Sequence, residues 1–104
     1  MEDDIQGIPE SRMEYTNTSR CLFVGPLVFK SCNLAGDGAN ADCQLYDGLN
    51  ANGELKGHLE SLSGTTFHLD VNGGVLFRTG LYISVNAATS KVTVVYEPAS
   101  PKKV

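Results

Sequence analysis

The sequence predicts an all-β domain, an antiparallel β-sandwich of jelly-roll-like type with about seven strands in two packed sheets. Three observations predict it. Apolar residues recur with a period of two through most of the chain, as half-buried strands require. Turn-forming Gly, Asn, Asp and Ser punctuate these runs roughly every 8 to 12 residues, the spacing of a sandwich or barrel. No segment carries the 3.6-residue apolar stripe of a helix. With 104 residues, of which 41% are hydrophobic and 19% charged, the chain has the length and apolar content of one soluble globular domain.

The elements follow in order. Residues 1–20 predict an extended N-terminal arm: Ile5 and Ile8 stand isolated, Gly7 and Pro9 break regularity, and Glu10, Arg12 and Glu14 show no sustained apolar period. Fully extended, such an arm reaches roughly 66 Å, enough to clasp a neighbouring molecule. The sandwich is assigned to residues 21–98. Residues 22–32 supply one or two strands, with Gly25-Pro26 as a break. Cys43 and Leu45 then alternate with Gln44 and Tyr46, and Leu55, Gly57 and Leu59 oppose Lys56, His58 and Glu60. Phe67, Leu69 and Val71 share one face, with Thr66, His68 and Asp70 on the other. Leu81, Ile83 and Val85 repeat the pattern against Tyr82, Ser84 and Asn86, and a β-branched run through Val92, Val94 and Tyr96 ends at Pro98. Turns are predicted at residues 36–40, Asp47-Gly48, Asn52-Gly53, Ser63-Gly64 and Asn72-Gly73-Gly74. Residues 99–104 read as a solvated tail.

Charge and motifs narrow the function classes. Eight Lys and Arg against twelve Asp and Glu leave a net charge of -4, which argues against a nucleic-acid partner. No apolar run approaches the roughly 18 residues that cross a bilayer, so no membrane association is expected. The opening Met1-Glu2-Asp3-Asp4 lacks the positive charge and apolar run of a secretory signal, which predicts synthesis in a cytoplasm. Cys21, Cys32 and Cys43 form no C-x-x-C pair and read as small buried hydrophobes, with a disulfide between two of them or to a second subunit left open. His58 and His68 fall on polar strand faces. No G-x-S-x-G elbow presents a serine, and Gly36-Asp37-Gly38 lacks the Gly-Lys-Ser/Thr of a phosphate loop. Asp37, Asn40 and Asp42 share one loop, but their spacing does not match a calcium-binding loop, and a turn with solvated acids is the expectation. Tyr46 and Tyr82 fall on outer strand faces and are the only candidates for a ligand platform. The sequence thus predicts no catalytic, cofactor-binding or metal-binding residues and no enzyme; the work of such a chain is done by its surface.

Four stretches carry a resemblance. Cys43-Gln44-Leu45-Tyr46-Asp47-Gly48 is followed by Ser63-Gly64-Thr65-Thr66-Phe67. Next comes the run Gly74-Val75-Leu76-Phe77-Arg78-Thr79-Gly80-Leu81-Tyr82-Ile83-Ser84-Val85, and the last strand is Val92-Thr93-Val94-Val95-Tyr96. Over residues 21–97 this resembles small β-sandwich virion proteins of tailed bacteriophages, among them the head decoration, or cement, proteins. The resemblance implies a structural virion protein without enzyme activity or cofactor, located on the capsid exterior. Its partners would be the major capsid protein and itself, as a dimer or trimer, with extended termini tying neighbours together. A tail, neck or fibre-associated protein and a small carbohydrate- or ligand-binding module are the alternatives.

Overall fold

The computed structural model describes residues 11–99, which form eight strands: β1 (Arg12–Thr16), β2 (Arg20–Val24), β3 (Leu27–Gly36), β4 (Ala41–Asp47), β5 (Glu54–Ser61), β6 (Thr66–Phe77), β7 (Gly80–Val85) and β8 (Ser90–Pro98). They pair as two four-stranded antiparallel sheets, sheet A in the order β1-β8-β3-β6 and sheet B in the order β2-β7-β4-β5. The pairs β1·β8, β2·β7, β3·β6 and β4·β5 are the rungs of one long hairpin closed at the β4–β5 loop. Rolling that hairpin up brings β3 against β8 and β4 against β7, which is the jelly-roll arrangement. The predicted all-β sandwich is present, with eight strands rather than seven.

The additional strand comes out of the predicted arm. Residues 12–16 pair with β8 from Arg12 opposite Tyr96 to Thr16 opposite Val92, and Thr16 is buried. What makes this strand is its partner: β8 offers a free edge, and a five-residue segment with only Met13 and Tyr15 as large apolar residues takes it up. The sandwich therefore begins at residue 12 and not at residue 21. The rest of the predicted arm, residues 1–10, and the predicted tail from residue 100 onward lie outside the described residues.

Two bulges and one edge strand account for the other departures. Asn72-Gly73-Gly74 reads as a chain-reversing turn, yet β6 runs straight through it. Phe29 is opposite Val75 and Ser31 opposite Asp70, so Lys30 alone faces residues 71–74. The positive φ that glycine permits is used here for a bulge instead of a reversal. At Gly74, with φ +85°, a Cβ would fall 2.4 Å from Val28 Cγ1, so a larger residue would have to move the Val28 side chain and would be strained in its own backbone. In β5, Leu45 is opposite Gly57 but Tyr46 is opposite Leu55, which makes Lys56 the extra residue. The alternation inverts there: Leu55, expected inside, is 52% exposed, while the Lys56 ammonium lies 5.9 Å from the centroid of the Phe77 ring. Phe67, also expected inside, is half exposed because β6 is an edge strand and Phe67 lies near its start.

The core is filled from both sheets by the alternating residues the sequence singles out, among them Cys43, Leu45, Leu59, Leu81, Ile83, Val92, Val94 and Tyr96. All three cysteines are free thiols. Cys32 and Cys43 are buried, as expected of small hydrophobes, and the Cys32 thiol is held far above its ordinary pKa by its hydrogen bond to Cys43 and by burial, so it stays protonated. Tyr96 is fully buried, and its hydroxyl closes no hydrogen bond of normal geometry. An orphaned buried hydroxyl costs stability that its ring contacts do not need. Tyr96→Phe is therefore expected to hold or raise stability by up to about 1 kcal/mol in urea unfolding; a loss above that would show that the hydroxyl is bonded after all.

Because successive strands reverse direction, the β2–β3, β4–β5 and β6–β7 connections and both ends of the sandwich meet at one pole, the terminal pole. The β1–β2, β3–β4, β5–β6 and β7–β8 connections form the opposite, loop pole.

Candidate functional site

The outer face of sheet B carries the most chemistry. Tyr46 on β4 is directly opposite Tyr82 on β7, and their rings lie 6.2 Å apart between centroids, tilted by 59°. The Tyr46 hydroxyl donates to Gln44 Oε1 at 2.8 Å, which fixes its ring along the strand. Leu55 is opposite Tyr46 and Cys21 opposite Tyr82, so a stripe of soft side chains crosses the whole sheet. The two tyrosines predicted as a platform are thus brought together.

Beside this stripe lies a second group. Asp42 on β4 is opposite Glu60 on β5, and His58 projects from the same face of β5. His58 Nε2 is 3.0 Å from both carboxylate oxygens of Asp42 and 3.7 Å from Glu60 Oε2. The hydrogen bond to Asp42 and the two carboxylate charges raise the His58 pKa above its ordinary value. Asp42 itself is held from behind: its N–H donates to Ser90 Oγ at 3.1 Å and its carbonyl accepts from Asn86 N at 3.2 Å. An open groove runs on toward the loop pole between Asn40, Ser61 and Asn86.

The other residues considered from sequence are dispersed. Asp37 pairs with Lys91 at 2.9 Å, and Asn40 Oδ1 accepts from Ser63 N at 2.9 Å, so the loop's three oxygen donors point to three different partners. His68 lies exposed on sheet A, hydrogen-bonded across the strand pair to Asn33. Glu60 is the residue that sequence reasoning leaves out. Its parity with His58 is legible, but its meeting with Asp42 depends on the β4·β5 register, which the bulge at Lys56 shifts by one residue.

The terminal pole has a different character. Met13 (73% exposed), Val24 (68%), Leu49 and Leu55 lie around it with Leu76, and these are five of the eight large apolar side chains left exposed among the described residues. The frame beneath them is stiff. Asp47 accepts from the N–H groups of Arg78 at 2.9 Å, Thr79 at 2.8 Å and Gly80 at 3.4 Å, clamping the β6–β7 turn to the end of β4. Gly25 N donates to Thr79 O, and Ala99 N to Pro26 O, tying the neighbouring turn and the end of β8 into the same layer.

No protein-family model and no curated protein matches this chain. No helix of the described residues is long and apolar enough to cross a membrane.

Proposed function

We propose that this chain is a structural virion protein that decorates the outer surface of a tailed-phage head and stabilises contacts between major capsid proteins. The observation that carries the reading is the terminal pole, toward which five of the exposed apolar side chains fall, around a hydrogen-bonded frame at the end where β1 begins and β8 ends. Large apolar side chains left exposed toward one end of a domain favour contact with another protein. The eight-stranded jelly roll is a recurrent architecture of capsid components, though a fold alone does not assign a function. In this reading the pole faces the shell, the chain associates with itself as a dimer or trimer, and residues 1–10 extend the contact. Each clamp is individually modest. Many of them, each binding only the assembled lattice, stabilise the shell by mass action and multivalency.

Counting copies of the chain relative to the major capsid protein by quantitative peptide mass spectrometry on purified particles tests the reading directly. Parity supports lattice-wide decoration, a few per cent relocates the protein to tail, neck or fibre, and absence defeats the virion assignment. The surface is tested by Val24→Asp with Leu49→Asp. Because both residues are exposed, the fold should be kept while occupancy on particles falls at least about tenfold, the effect of losing roughly 1.4 kcal/mol of contact energy. Undiminished occupancy would remove the pole as the contact.

One observation favours a second reading. The Tyr46–Tyr82 pair, flanked by Gln44, Ser84 and Asp42 on a sheet face, suits stacking and hydrogen bonding of a sugar ring. A glycan array that gives a signal lost on Tyr82→Ala would favour that module over the decoration role.

A further inference from the structure

The trio on sheet B has a feature that a simple ion pair does not explain. Asp42 and Glu60 are directly opposite across β4 and β5, a like-charge pairing that antiparallel strands disfavour. The two carboxylates share one neighbour, His58 Nε2, and one ligand-capable atom from each of the three residues lies within 4.8 Å of the others. We propose that Asp42, His58 and Glu60 bind a divalent transition-metal ion of borderline softness, of which Zn2+ is the representative.

The distances suit such an ion. Donor atoms on a tetrahedral zinc, with bonds of about 2.0–2.1 Å, lie roughly 3.3 Å from one another. The His58 Nε2 separations of 3.0 Å to Asp42 and 3.7 Å to Glu60 bracket that value, and the three donor atoms lie within 4.8 Å of one another, so an ion would have to draw the two exposed carboxylates together. The donor set also selects the ion. Two carboxylates alone suit Mg2+ or Ca2+, whereas an imidazole nitrogen converging with them shifts preference toward zinc and its neighbours in the transition series. Two carboxylates neutralise the ion's charge, and the imidazole binds it in its neutral form, so protons compete with the ion and binding weakens as pH falls.

The backbone holds the ligands in place before any ion arrives. Asp42 is anchored by Ser90 and Asn86, and His58 and Glu60 occupy alternate positions of one strand, on the same face. Three protein ligands leave the fourth position open toward the groove, for water or for a side chain of another protein. The site is independent of the virion reading and stands or falls by itself.

Calorimetric titration of the full chain with Zn2+ at neutral pH, free of chelating buffer, tests it. One equivalent should bind with micromolar affinity. His58→Gln and Glu60→Gln should each weaken binding at least about tenfold, and His68→Gln, on the other sheet, should leave it unchanged. Nitrogen NMR of the imidazoles should show His58, and not His68, shifting on zinc addition. Both histidines are exposed, so these variants retain the fold. Binding that survives His58→Gln undiminished would place the ion elsewhere and overturn the assignment. So would the absence of heat and of any His58 shift at about 1 mM Zn2+, a concentration that detects even weak sites.

Discussion

Replacing Phe77 with alanine is expected to remove about 3–5 kcal/mol of stability, the range for a buried aromatic truncated in a close-packed core. Phe77 is 1% exposed at the end of β6, where its ring meets Phe29 at 5.7 Å and the Lys56 ammonium lies over it. It closes the sandwich at the terminal pole, opposite Leu27 on β3. The cavity cannot collapse easily, because the Asp47 clamp on the β6–β7 turn begins one residue later, at Arg78. For a domain whose total stability is of order 5–15 kcal/mol, such a loss is at least about a fifth of the margin. Urea unfolding should show the midpoint falling with an unchanged slope. A loss below about 1 kcal/mol would mean that the pole is loosely packed.

Removing the clamp itself is the second large effect. Asp47→Ala should cost about 2–4 kcal/mol, because three backbone N–H groups lose a charged acceptor at once. Asp47→Asn keeps one acceptor oxygen and should lose roughly half as much. The pH dependence identifies the cause. Partial burial pushes the Asp47 carboxyl up, but the N–H bonds from Arg78, Thr79 and Gly80, aided by Lys56, outweigh it and leave the folded pKa below its ordinary value. The unfolded chain therefore takes up a proton first as pH falls. The stabilisation is complete above the unfolded value of about 3.9 and disappears as pH falls through the folded one. The gap between wild type and Asp47→Ala should accordingly be widest near neutrality and narrow below about pH 4. A gap that stays constant with pH would assign the effect to turn geometry instead of charge.

Much of the fold was legible because alternation and burial agree. In β4, β7 and β8, Cys43, Leu45, Leu81, Ile83, Val92, Val94 and Tyr96 face the core as their parity predicts. Gly25-Pro26 separates β2 from β3 where the break was expected. What parity cannot show is the partner. Residues 12–16 lack a strong apolar rhythm and become a strand because β8 has an unfilled edge. Bulges defeat parity in another way. Gly73-Gly74 and Lys56 each carry a local signal compatible with two backbone paths, and the neighbouring strand decides between them. The same limit hid the trio on sheet B: Asp42, His58 and Glu60 are ordinary polar positions one by one, and only the register joins them. The Tyr46–Tyr82 pair was nearer to hand, since both tyrosines fall on outward parity in adjacent elements of one sheet.

The nesting of the strands also sets how the chain must fold. Only β4 and β5 are both paired and consecutive, and each further rung of the hairpin joins segments more distant in sequence, ending with Arg12 against Tyr96. Loop-closure entropy therefore favours nucleation at the β4–β5 hairpin and addition outward, and contact order this high implies folding in milliseconds to seconds. During synthesis β1 emerges first and finds its partner last. Until β8 leaves the ribosome, half of sheet A has no template, so the nascent chain holds exposed strand edges for nearly the whole of its translation.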